Sequence, residues 1–130
     1  MEYQIKASSI SNKDATIQIK QSDIAFGTNS KSAEISPNPA ELFLGSFASC
    51  MLKNVERFST MMKFNYLKAI VNMSATRTEK PIKLEDINYS LTIYSSNENL
   101  NTLLLKKNIE KFGTIYNTVK LSCNINRVVV

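Results

Sequence analysis

Apolar and polar residues alternate with period two in Tyr3-Gln4-Ile5-Lys6-Ala7 and again in Ala15-Thr16-Ile17-Gln18-Ile19-Lys20, the mark of strands buried on one face. Asn12-Lys13-Asp14 supplies turn chemistry between them. A third short strand is expected from Asp23 to Phe26, ending at Gly27, and the polar segment Thr28 to Ser36 reads as a loop. The period then changes. Asn38 suits a helix N-cap, Pro39 the first helical position, and Glu41, three residues after Asn38, completes a capping box. From Leu42 to Leu52 the helix is apolar on nearly every side: Leu42, Phe43, Leu44, Phe47, Ala48, Cys50, Met51, Leu52. A helix without a polar face has to be buried, in a domain core or against a second subunit. Gly45 inside it costs about 1 kcal/mol relative to alanine, which points to close packing there. Polarity returns at Lys53-Asn54 and Glu56-Arg57, and the helix should fade near Met62.

Two longer strands are predicted at Tyr66 to Thr78 and Leu84 to Ser95, broken at Pro81 by a five-residue hairpin connection. Asn97 then caps a second helix with Leu100, Leu103, Leu104, Lys107 and Lys111 on one side, and Phe112-Gly113 ends it. A short helix from Thr114 to about Leu121 leads to a last strand, Cys123 to Val130. With 130 residues and 43% hydrophobic side chains, the chain suits one domain over residues 1–130 with a core of its own. The element order gives an α+β fold in which antiparallel strands pack around buried helices.

Charge and composition remove whole classes of function. The net charge is +5, yet the three arginines (Arg57, Arg77, Arg127) are scattered and the lysines recur singly or in pairs. A nucleic-acid surface would cluster them, so no nucleic-acid partner is expected. No stretch approaches the ~18 apolar residues of a membrane helix, and no secretory leader is visible, so a cytoplasmic protein with reduced thiols is expected. Histidine is absent. That excludes a Ser-His-Asp triad, a Cys-His pair and a histidine-containing zinc site, and two cysteines cannot make a four-cysteine site. No metal and no cofactor is expected. Chemistry is left to thiol, carboxylate, amine, hydroxyl and backbone groups.

Cys50 is the first candidate for that chemistry. A free cysteine on an apolar helix usually behaves as a small hydrophobe. A reactive one needs a nearby cation or helix N-terminus. At about 1.5 Å per residue Cys50 lies roughly 17 Å from the start of its own helix, so activation has to come from another segment. Glu41 is either the capping carboxylate alone or also a group orienting a cation or substrate near the thiol. Cys123 reads as core, and Met51, Met61 and Met62 as flexible core filler.

The run Ser36-Pro37-Asn38-Pro39-Ala40-Glu41-Leu42-Phe43-Leu44-Gly45-Ser46-Phe47-Ala48-Ser49-Cys50 resembles the helix motif of the OsmC/Ohr family, and Phe112-Gly113-Thr114-Ile115-Tyr116-Asn117-Thr118 is similar to that family's second-cysteine region. The resemblance implies an intertwined homodimer whose two long central helices are enclosed by strands of both subunits. It also implies thiol-dependent reduction of organic hydroperoxides or hydrogen peroxide in oxidative-stress defence. Cys50 matches the peroxidatic position, where an arginine and a glutamate stabilise the thiolate and a second cysteine resolves the sulfenic acid. Three departures stand out. The second cysteine is replaced by Gly113, with Cys123 ten residues further on. The glutamate of the peroxidase branch aligns with Ala40, leaving Glu41 one residue, about 100° of helix, out of register. Residues 1–38 hold no arginine; Lys20 or Lys31 could bring charge there, without the bidentate fork of a guanidinium. The implied site is therefore Cys50 with Glu41, working in a one-cysteine cycle with an external thiol reductant. The alternative is a non-catalytic relative holding a small hydrophobic ligand at the dimer interface.

Overall fold

The computed structural model describes residues 1–13, 15–97 and 99–121. They fall in two compact units, Met1–Phe43 and Leu44–Val130.

The first unit is an antiparallel meander of β1 (Lys6–Ser9), β2 (Ala15–Ile19) and β3 (Ser22–Phe26). β1 begins three residues later than the alternation predicts, and Tyr3 and Ile5 are exposed. The turn decides this register. Lys13 N–H donates to Ile10 O at 2.9 Å, with Asn12 in the left-handed region at φ 61°, so pairing starts at Ser9 opposite Ala15. Ile19 pairs with Ser22 across Lys20-Gln21. The following loop is tied off where Gly27 N–H donates to Pro37 O at 3.0 Å, and inside it Asn29 Oδ1 accepts from the amides of Lys31 and Ser32.

The second unit is built on α1 (Pro39–Met61), whose first turn belongs to the first unit. It continues as a long hairpin of β4 (Lys68–Glu79) and β5 (Ile82–Tyr94), then α2 (Thr102–Phe112) and α3 (Thr114–Leu121). The hairpin connection is two residues, Lys80-Pro81, rather than five, because pairing runs out to Glu79 opposite Ile82. A register break between Ser74 and Thr76 bends it. Phe47, Met51, Val55, Phe58, Phe64, Leu105 and Ile109 form the core, and alternate residues of the hairpin, Val71, Met73, Ile87, Tyr89, Leu91 and Ile93 among them, pack on it.

One chain buries α1 along a single stripe, Phe47, Met51, Asn54, Val55 and Phe58, while Phe43 and Leu52 remain over a third exposed, which is the surface the sequence reading left to a second subunit. Two expectations need correction. Gly45 is not closely packed, since a Cβ added there meets nothing within 4 Å. The second helix is capped four residues later, by Asn101. Asn101 Oδ1 accepts from Leu104 N–H at 3.0 Å, whereas Asn97 Oδ1 accepts from Asn65 N–H at 3.0 Å and anchors the strand ends instead. With that start the buried side of α2 is Leu105 and Ile109, and Leu103 and Leu104 turn outward. The expected last strand from Cys123 to Val130 lies outside the described residues.

Leu105→Ala, at a position 1% exposed, is expected to cost about 2–5 kcal/mol in urea unfolding, and Leu103→Ala, 79% exposed, no more than about 0.5 kcal/mol. Equal losses would contradict the placement of α2.

Candidate functional site

The N-terminus of α1 carries the capping box that the sequence predicts. Asn38 Oδ1 accepts from Glu41 N–H at 2.9 Å, and Glu41 Oε1 accepts from Asn38 N–H at 3.1 Å. Glu41 is thus engaged at the helix start. The cap uses one oxygen of its carboxylate.

Cys50 is a free, half-buried thiol in the middle of α1. Its place follows from the rotation of the helix: buried Met51 follows it, and buried Phe47 and Asn54 flank it one turn before and after. Cys50 therefore lies on the border between the core stripe and the exposed face. Arg57 stands two turns on along the same line, but its guanidinium lies over two rings, 5.6 Å from the centroid of Phe58 and 5.7 Å from that of Phe112. Lys20 lies in the β2–β3 turn and Lys31 in the loop after β3, both in the first unit.

Gly113 joins α2 to α3. Its extended backbone (φ −79°, ψ 113°) ends α2, while its carbonyl accepts from Asn117 N–H at 2.9 Å and so opens α3. It is buried, and an ideal Cβ there would stand 2.8 Å from Ile109 O and 3.2 Å from Tyr116 Cβ. A cysteine at this position would need the backbone to move. Cys123 lies outside the described residues.

A second polar group was not singled out by the sequence. Glu110 Oε1 accepts from Lys106 Nζ at 2.5 Å and from Tyr89 Oη at 3.0 Å, the first from one turn back on α2, the second from across the core on β5. The Lys106 bond, with smaller contributions from Tyr89 and Tyr116, holds the Glu110 carboxyl below its ordinary value of 4.5, although partial burial opposes this. Burial first, then the bond to Glu110, pushes the phenols of Tyr89 and Tyr116 above the usual 10.0. Tyr116 also meets Phe47 edge to face at 6.1 Å. Glu110, both tyrosines, Phe47, Ile87 and Lys120 border a cavity of about 290 Å³. The Lys106–Glu110 spacing of four is visible in the sequence. That Tyr89 and Tyr116 converge on it is a tertiary fact with no local signal.

A family model described as OsmC-like protein matches residues 28–127. The chain belongs to the OsmC-like family. No curated protein matches it. Among solved structures, an OsmC-like protein from Mycoplasma pneumoniae superposes with a TM-score of 0.81 at 19% identity, over 92% of this chain and 88% of that one. An organic hydroperoxide resistance protein OsmC from Legionella pneumophila gives 0.65 at 14% identity, over 92% and 90%. The organic hydroperoxide resistance protein OhrB of Bacillus subtilis gives 0.58 at 13%, over 92% and 91%. The shared property is the α+β fold, with antiparallel sheets and three helices.

Within this OsmC-like chain, then, α1 carries both residues singled out from the sequence, Glu41 in its cap and Cys50 at the border of its buried stripe. Asn54 reads as the return of polarity, and only the packing of α1 against the α2–α3 junction reveals its burial. Among the described residues no group of His, Cys, Asp and Glu could hold a metal ion, and no helix is long and apolar enough to cross a membrane.

A carboxyl held below its unfolded value contributes stability that is present above that value and lost as pH falls through the folded one. Wild type should therefore lose stability on acidification below about pH 4.5, and Glu110→Gln should lose less over the same range in urea titrations. Parallel pH profiles would show that Glu110 makes no net contribution.

Proposed function

We propose that the protein is a thiol-dependent hydroperoxide reductase of oxidative-stress defence, working as a cytoplasmic homodimer with Cys50 as its nucleophile. The observation that carries this reading is the position of Cys50: a half-buried thiol at the edge of the core stripe of α1, in the helix that matches the family model. The organic hydroperoxide resistance proteins of the same fold, from Legionella pneumophila and Bacillus subtilis, support the choice of substrate.

In the first half-reaction the Cys50 thiolate attacks the terminal oxygen of a hydroperoxide. An S–O bond forms as the O–O bond breaks, the departing alkoxide takes a proton and leaves as the alcohol, and sulfur is left as sulfenic acid. Gly113 offers no thiol, and its backbone has no room for one, so the second half-reaction uses an external thiol. That thiol attacks the sulfenic sulfur and releases water, and a second thiol frees Cys50 as it takes the first into a disulfide. Glu41 has one carboxylate oxygen outside the capping box and is carried in this reading as the acidic residue of the family motif. No metal or cofactor takes part.

The second subunit is the proposed cover for the outer side of α1. Gly45, Ala48 and Leu52 follow one another at helical spacing there, Leu52 is 37% exposed, and Gly45 leaves open space where a second helix could approach. The same surface is what favours the alternative, a small hydrophobic ligand held between subunits without catalysis.

Consumption of cumene hydroperoxide with a dithiol reductant is expected to vanish in Cys50→Ser; undiminished turnover would end the peroxidase reading. In sedimentation, wild type is expected to run as a dimer and Leu52→Glu to shift toward monomer. A wild type that runs as a monomer would remove the paired-subunit part of the proposal.

A further inference from the structure

Cys50, Lys53 and Arg57 follow one another on α1 at steps of three and four, which sets them along one strip of the helix about 10 Å long. Lys53 and Arg57 are exposed, and the strip runs on to Phe112 at the end of α2, itself 44% exposed. Two cations meet that ring: the Arg57 guanidinium lies 5.7 Å and the Lys111 ammonium 5.3 Å from its centroid. Among the described residues none of these three cations is paired with a carboxylate. The acids nearest to them in sequence are engaged elsewhere, Glu56 by Tyr66 Oη and Glu110 by Lys106 and Tyr89.

The surface beside the thiol thus carries three unneutralised positive charges around an exposed aromatic ring. Such a face is complementary to an acidic one, and charge complementarity speeds association and rejects partners of the wrong sign. The size of the partner follows from the shape of the face. The larger cavities are lined by other residues, and these cations are spread over exposed helix rather than gathered in a cleft. A small anion would meet one or two of them, whereas a protein face can meet all three and the ring. The strip is also clear of the proposed subunit contact, since Ala48 lies five residues from Lys53, about 140° around α1.

Resting on the peroxidase reading, we infer that Lys53, Arg57, Lys111 and Phe112 dock the external reductant, a protein that carries a dithiol within an acidic surface. One of its thiols attacks the sulfenic sulfur of Cys50; an S–S bond forms as the S–O bond breaks, and the hydroxide leaves as water with the thiol proton. Its second thiol attacks the partner's own sulfur in that bond and releases Cys50 as the thiolate. Cys50 is reduced, and the partner departs as an internal disulfide.

Two synthetic peptides test this. They share the dithiol Cys-Gly-Pro-Cys, one flanked on each side by two glutamates and the other by two lysines. Each is used to reduce the Cys50 sulfenate formed with cumene hydroperoxide, and comparing the acidic-to-basic rate ratio between variants cancels the intrinsic reactivity of each peptide. The ratio is expected to fall about tenfold at low salt in Lys53→Glu and in Lys111→Glu, both at exposed positions, and the wild-type ratio should itself fall as salt is raised. Lys80→Glu, in the exposed β4–β5 connection, changes the net charge equally and should keep the wild-type ratio. The small dianionic dithiol dimercaptosuccinate should lose little in Lys111→Glu; a loss equal to that of the acidic peptide would assign the face to a small anion and overturn the protein partner. An unchanged ratio in Lys53→Glu, or an equal fall in Lys80→Glu, overturns the docking face and leaves the peroxidase reading standing. A Cys50 that forms no sulfenate overturns both.

Discussion

Packing Phe47, Met51, Val55 and Phe58 of α1 into one core with Leu105 and Ile109 of α2 fixes the rotation of the long helix, and through it the address of every group near the thiol. Each residue of a helix turns the chain by about 100°. With Met51 pointing inward, Cys50 has to lie at the rim of the stripe, Asn54 has to go under, and Arg57 has to come up beside Phe112. A thiol at the rim can be reached by small molecules while the core stripe backs it on the other side. A thiol at the centre of the stripe would be inert hydrocarbon filler, and one on the far face would have only solvent around it.

Much of this architecture was legible in the chain. The capping box at Asn38 and Glu41, the end of α2 at Gly113 and the extent of α3 rest on short-range rules and stand where those rules put them, and the β4–β5 hairpin stands with a connection of two residues instead of five. What failed was decided at longer range. The start of α2 turned on Asn97 being already committed, held by the Asn65 amide 32 residues away, so that Asn101 caps the helix. The register of β1 followed the tight turn at Asn12 rather than its own alternation. The all-round apolarity of α1 was read correctly as excess hydrophobic surface, but one chain covers only one stripe of it.

The site was legible only in part. Cys50 is marked by its motif, and the loss of the second cysteine is visible as Gly113. What Gly113 means is not, because the close approach of the Ile109 carbonyl and Tyr116 to it is a packing fact that no spacing encodes. A side chain added there would meet the Ile109 carbonyl at 2.8 Å and Tyr116 Cβ at 3.2 Å, so a thiol at this position would need the backbone to move. The Glu110 cluster makes the complementary point: its carboxylate, lysine and two phenols satisfy one another, which describes a polar network that stabilises the fold rather than one waiting for a ligand.

The central claim is that oxygen is transferred to one sulfur atom on α1. Treating the wild-type protein with cumene hydroperoxide in the presence of dimedone, followed by peptide mass spectrometry, reads this directly. A dimedone adduct is expected on the peptide that contains Cys50. An unmodified Cys50 after complete exposure to the peroxide, or an adduct confined to Cys123, would contradict it.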